Sequence, residues 1–149
     1  EYSDFTCPRC ASIQSDIEQV QSFYGNQVGI VFKGIPITRH PERNNALLAA
    51  YCAAEQGAFP AYKAALFENQ DTLSSSLYTN LARDLNLTHT AFNDCYESKK
   101  YESLISTNVD QALQVGVTST PTIYVNNKKE DSSFAFVNLK SLIDAQLNR

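Results

Sequence analysis

An α/β fold is predicted for this 149-residue chain, with a βαβ unit and a closing ββα unit on either side of a block of helices. Three observations carry the prediction. An amphipathic helix lies between two strand-like segments near the start of the chain. A long middle stretch rich in Ala, Leu and Tyr has no strand-like alternation. A short β-branched and aromatic segment near the end is followed by a further helix.

Residues 1–5 read as the end of a strand running directly into a Cys-Pro-Arg-Cys segment. From there, Cys10, Ile13, Ile17, Val20 and Tyr24 recur at intervals of three and four, one face of a helix that Gly25-Asn26 should stop. Residues 28–35 (VGIVFKGI) form a nearly unbroken apolar run, as in a strand covered on both faces. Strand, helix and strand in so short a span form a βαβ unit with parallel strands. Helices are expected over about residues 44–56, 60–68, 74–85 and 90–98, the last with Thr88 as N-cap, and over 101–115, ending at Gly116. Residues 122–125 (TIYV) predict a strand, Asn126-Asn127-Lys128 a turn, 133–137 a weaker edge strand, and 139–147 a closing helix. No repeat or low-complexity linker interrupts the chain, so it reads as a single domain over 1–149. Its α/β parts are about 1–38 and 101–149, and a helical insertion covers about 42–100. Phe59, Tyr62, Phe67, Phe92 and Tyr96 are expected to form the core of the insertion.

A hydrophobic share of 43% and a charged share of 19% suit a globular domain, and the longest apolar run is too short to span a bilayer. A net charge of −4 argues against nucleic acid or an anionic membrane as the main partner. The sequence contains no Met and no basic-then-apolar leader, and so reads as a processed or trimmed product.

Four cysteines would suit two disulfides or one metal site, and spacing has to separate these. Cys7 and Cys10 stand three apart at a helix start, where unpaired N–H groups and the helix dipole favour a negative charge on Cys7. Pro8 suits the first helical position and Arg9 adds a cation. All three features favour the Cys7 thiolate, and a stabilised thiolate makes the pair's disulfide a better oxidant. Cys10 should be more buried and less reactive. The bland alternatives are half of a zinc site and an inert structural disulfide. Zinc would need a second close pair of ligands, which Cys52, Cys95, His40 and His89 do not supply, so no metal is expected. His40, in Thr38-Arg39-His40-Pro41, reads as a turn or capping residue.

The segment Glu1-Tyr2-Ser3-Asp4-Phe5-Thr6-Cys7-Pro8-Arg9-Cys10 resembles the active-site segment of DsbA-like thiol–disulfide oxidoreductases, members of the thioredoxin superfamily. Gly116-Val117-Thr118-Ser119-Thr120-Pro121-Thr122 is similar to the family segment whose proline is cis beside the redox pair, and Ile35-Pro36, His40-Pro41, Ala49-Ala50 and residues 55–59 also resemble its middle region. The resemblance covers nearly the whole chain. It implies a thioredoxin fold with an inserted α-helical subdomain, a cis peptide bond before Pro121, and a Thr120 backbone that pairs with an extended substrate segment. It implies that Glu1 is a buried acid beneath the pair, able to relay a proton to or from Cys10. It also implies a structural disulfide between Cys52 and Cys95, contributing about 4 kcal/mol by the chain-entropy model, and hence an oxidising compartment: periplasm, cell envelope or exterior. The chain departs from the family in two ways: the active-site strand looks clipped, and the strand after Asn126-Asn127 is more polar than usual.

The expected activity is that of a dithiol oxidase that donates the Cys7–Cys10 disulfide to folding extracytoplasmic proteins. No cofactor beyond that disulfide is expected. A membrane DsbB- or VKOR-type partner would reoxidise the protein, which would act as a monomer. The alternatives are a disulfide reductase or isomerase, and a peptide-binding chaperone whose redox activity is incidental.

Overall fold

The computed structural model describes residues 1–36, 41–130 and 133–148. Strand β1 (Tyr2–Ser3) turns into α1 (Pro8–Ser12) and α2 (Gln14–Tyr24). β2 (Lys33–Gly34) lies parallel to β1, with Tyr2 opposite Lys33 and Ser3 opposite Gly34. The helices α3 (Pro41–Ala54), α4 (Phe59–Glu68), α5 (Ser75–Asp84) and α6 (His89–Glu97) follow. After α7 (Glu102–Gln114) come the antiparallel strands β3 (Tyr124–Val125) and β4 (Lys128–Lys129), and then α8 (Phe136–Gln146). An antiparallel bridge joins Tyr2 to Thr122 through two backbone hydrogen bonds of 2.8 and 3.0 Å. It sets β1 between β2 and the segment leading into β3.

Packing follows the apolar spacing. Ile13, Ile17, Val20 and Tyr24 bury one face of α2 against Ile123, Leu139 and Ile143, clamping α8 to the sheet. The Tyr24 hydroxyl meets Asp144 Oδ1 at 2.7 Å, so the ring can be buried without stranding its polar end. In the helical block Tyr62, Leu66, Tyr78 and Phe92 are fully buried, and the Tyr62 hydroxyl donates to the Tyr78 carbonyl at 2.8 Å. Phe67 is also buried, while Phe59 and Tyr96 pack at the margin. This core is continuous with the redox segment: the ring of Phe5, with no exposed surface, packs on Phe32 at 5.3 Å and Phe67 at 4.9 Å. Gly34 lets sheet and insertion approach closely. A Cβ there would meet Leu47 Cδ2 at 2.0 Å, and its N–H donates to the Tyr51 hydroxyl at 3.0 Å.

The structure corrects the sequence reading in several places. The helix expected to run unbroken to Tyr24 is interrupted at Ile13, where the Gln14 carboxamide donates to the Cys10 carbonyl at 2.8 Å, a side chain inserted into the ladder. The strand expected over 28–35 has ladder bonds only at Lys33–Gly34. Residues 28–31 instead line a groove with 123–126, and Val31 is 64% exposed, so the run is not covered on both faces. The edge strand expected over 133–137 is absent: β4 is Lys128–Lys129, and Phe136 already begins α8. Two causes are visible. Asn126 adopts φ +53°, turning the chain back at once so that Val125 faces Lys128. The Phe136 N–H finds a helix cap in Asp16 Oδ1 at 2.7 Å, from α2. Thr88 stands at the N-cap of α6 but makes no side-chain cap bond; its own N–H is taken by Gln56 Oε1 at 2.7 Å. His40 lies outside the described residues.

Candidate active site

Cys7 is the N-cap of α1, extended at φ −91° and ψ 114°, and Pro8 opens the helix without an N–H to satisfy. The backbone N–H of Cys10 donates to Cys7 Sγ at 3.3 Å, so a helix-terminal donor points at the first sulfur. Both cysteines are free thiols, Cys7 half-buried and Cys10 fully buried. Burial, reinforced by the contact with Cys7, pushes the Cys10 thiol up to about 12, against smaller opposing contributions from Ser3, Asp4 and Thr120. The two sulfurs therefore stand in unequal surroundings: one half-open with a donor on it, the other held neutral.

The Thr120–Pro121 peptide bond is cis, and the Thr120 carbonyl accepts from Cys7 Sγ at 3.4 Å. Antiparallel pairing of Tyr2 with Thr122 brings this loop, over a hundred residues later in the chain, onto the redox segment. Thr122 Oγ1 donates to the Ser119 carbonyl at 2.7 Å and helps to shape the loop.

The segment between strand and helix is held from several sides. Fully buried Asp4 accepts from the N–H and hydroxyl of Thr6, both at 2.8 Å, and its carbonyl takes the Cys7 N–H at 3.0 Å. Gln70, in the turn after α4, donates to the carbonyls of Phe5 at 2.6 Å and Cys7 at 3.0 Å. The insertion thus holds the active-site loop directly. Behind Cys10, Gln14 Nε2 donates to Glu1 Oε1 at 2.8 Å, and Lys63 Nζ donates to Gln14 Oε1 at 2.7 Å. Glu1 Oε2 is buried and has no hydrogen-bond partner among the described residues.

Of the residues singled out from sequence, Cys7, Cys10, Thr120 and Pro121 come together. Glu1 reaches them through Gln14. Pro8 and Arg9 are exposed, and Arg9 lines a surface groove with Ser12, Asp16 and Phe134. Among the described residues, Cys7 Sγ has the Cys10 N–H and the Thr120 carbonyl as hydrogen-bond partners, so the cation expected beside it is turned elsewhere. Cys52 and Cys95 are joined in a disulfide between α3 and α6, with Cα atoms 5.8 Å apart. The sequence reading missed Ser3, Gln14, Lys63 and Gln70. The one available signal was Gln14, a polar residue among the apolar positions of the first helix; the others look like ordinary surface or turn residues.

A family model described as "Thioredoxin" matches residues 1–145. The chain is 31% identical over 135 residues to the Na(+)/H(+) antiporter NhaA 3 of Salinispora tropica, covering 90% of this chain but 21% of that protein. It spans about a fifth to a quarter of the length of the curated relatives it matches. Among solved structures, a thioredoxin-like oxidoreductase from Silicibacter pomeroyi superposes with a TM-score of 0.83 at 20% identity, covering all of this chain and 85% of the other. Reduced DsbA from Mycobacterium tuberculosis does so with a TM-score of 0.75 at 24% identity, covering 99% and 81%. Those two likenesses speak for the fold, and the family match joins them to the sequence. The chain belongs to the thioredoxin family, its fold carrying a helical insertion.

Proposed function

We propose that this chain is a protein dithiol oxidase that passes the Cys7–Cys10 disulfide to cysteine-containing substrates outside the cytoplasm. The observation that carries the reading is the inequality of the two sulfurs. Cys7 is reachable, bonded by the Cys10 N–H and beside the cis-proline loop, whereas Cys10 is sealed behind it.

The chemistry follows from that inequality. A substrate thiolate attacks Cys7 Sγ of the oxidised pair, the Cys7–Cys10 bond breaks, and its electron pair departs on Cys10. A sulfur whose thiol ionises only near 12 is a poor leaving group and needs a proton as it leaves. Glu1, held one carboxamide away, is the proposed donor. The substrate's second thiolate then attacks its own sulfur in the mixed disulfide and expels Cys7, whose charge the Cys10 N–H can hold. The products are an oxidised substrate and a dithiol protein, two electrons having moved inward. Thr120 would present its backbone edge to the substrate segment. A quinone-linked membrane partner of the DsbB or VKOR type would take the two electrons away again.

The Cys52–Cys95 disulfide supports an oxidising compartment. No helix among the described residues is long and apolar enough to cross a membrane.

The test is to mix the oxidised protein with a fluorescent peptide carrying two thiols. Oxidation of the peptide with stoichiometric appearance of protein dithiol supports the reading; an inert mixture overturns it. Protection of an unfolded client that persists in Cys7→Ser, without peptide oxidation by the parent protein, would mark a chaperone instead.

A further inference from the structure

Gln14 lies at the break between α1 and α2 and is almost wholly buried, and its carboxamide is used at every end. Nε2 has two hydrogens, and they go to Glu1 Oε1 and the Cys10 carbonyl, both at 2.8 Å. Oε1 accepts from Lys63 Nζ at 2.7 Å. The amide can point only one way. Turned over, its oxygen would face two acceptors and its NH2 an ammonium, three unfavourable contacts in a buried place. Lys63 comes from α4, so the insertion dictates that orientation. The same lysine stands 6.0 Å from the ring of Phe32, which limits its freedom.

We propose that Gln14, oriented by Lys63, is the positioning residue that fixes the Glu1 carboxyl behind Cys10 and leaves its second oxygen free to carry the proton of the redox step. This rests on the reading of Cys7–Cys10 as the reactive pair. Among the described residues, buried Glu1 Oε2 has no hydrogen-bond partner, while Oε1 is held by the amide. A carboxyl tied by one oxygen keeps its place and can still gain or lose a proton on the other. The charged groups gathered around Glu1 are its own terminal ammonium, Lys33 from β2 and Lys63 from α4, and the Cys10 backbone shares the Gln14 amide with it. Gln14 carries no charge, so it can pass Lys63's orienting effect to Glu1 without adding a titration of its own.

The step to measure is opening of the Cys7–Cys10 disulfide by glutathione, followed across pH in the full chain. One Cys7–Cys10 bond breaks, one Cys7–glutathione bond forms, and Cys10 takes a proton. Gln14→Met should open about tenfold more slowly and lose the pH dependence that Glu1 supplies, while alkylation of Cys7 in the reduced protein stays within about twofold. Gln14→Glu, nearly the same shape, sharpens the test. It should open close to the normal rate at acid pH, where its carboxyl can still donate, and fall behind as pH rises and two carboxylates face each other. Lys63→Met should show the weaker form of the Gln14→Met defect. A purely structural role would give a defect independent of pH. Opening by Gln14→Met and Gln14→Glu at the parental rate and with the parental pH profile would overturn the proposal. Ring opening reads this arrangement whichever way electrons flow in use. Failure of the parent protein to oxidise the dithiol peptide would count against the oxidase reading alone.

Discussion

Cys52 and Cys95 are drawn from the last turn of α3 and from α6, are buried alike at 1% and 4% exposure, and are bonded to one another. Cys7 and Cys10 share a single helical turn and are free, and they differ in burial and in what holds each sulfur. One has a backbone donor on its sulfur and a loop carbonyl beside it, while the other is sealed in the core with its thiol pushed up to about 12. The contrast teaches that a cysteine pair is made structural or reactive by the symmetry of its environment. Two equally buried sulfurs offer an attacking thiolate no entrance. A half-open sulfur in front of a sealed one offers a single entrance, and so a single direction of attack.

The largest expected effect comes from removing that entrance. Cys7→Ser should lower peptide oxidation by about a thousandfold or more, with a melting temperature close to that of the reduced parent. Oxidation that survives in Cys7→Ser would break the comparison at its root, because another sulfur would then be doing the exchange. Removing the other pair should do the reverse. Cys52→Ala with Cys95→Ala should lower unfolding free energy by roughly 4 kcal/mol and leave turnover per folded molecule within about twofold. Urea titration and the peptide assay on one preparation decide both halves of this prediction.

A smaller effect sharpens the asymmetry within the reactive pair. Cys10 ionises near 12 in the folded dithiol protein and near 9 once unfolded. Above about pH 9 the unfolded state therefore binds fewer protons than the native state, and stability falls as pH rises toward 12. At pH 10 the loss should be about 1 kcal/mol relative to neutral pH. That Cys10 share should be missing in Cys10→Ala, which has no thiol to desolvate, while the raised tyrosines Tyr62 and Tyr101 act on both proteins alike. Equal pH slopes for the reduced parent and Cys10→Ala would show that Cys10 is not held neutral by burial.

These particulars also mark how far the sequence could be read. The helix start at Cys7-Pro8 was legible because capping and a missing N–H are local properties of the chain. The middle helices were legible from their lack of alternation. The pairing of Cys52 with Cys95 and the cis bond at Pro121 were open to anticipation only through family resemblance, since neither composition nor spacing distinguishes them. The break at Ile13 depends on where the Gln14 side chain goes. The start of α8 depends on Asp16, about 120 residues away in sequence. Gln70, Lys63 and Ser3 were invisible for the same reason: a polar residue on a helix or strand acquires its role from what folding places against it. Arg9 shows the opposite error. Adjacency in sequence suggested a cation beside Cys7, but the helix turns that side chain outward.

The central claim is that the Cys7–Cys10 disulfide is built to be given away, and its reduction potential tests this most directly. Equilibration of the pair with defined ratios of reduced and oxidised glutathione, read by thiol trapping, gives the value. The expected potential is well above that of thioredoxin, in the region of about −120 to −180 mV where strong oxidants of dithiols lie. A value near thioredoxin's, about −270 mV or lower, would contradict it: such a disulfide is kept rather than donated, and the protein would be a reductase.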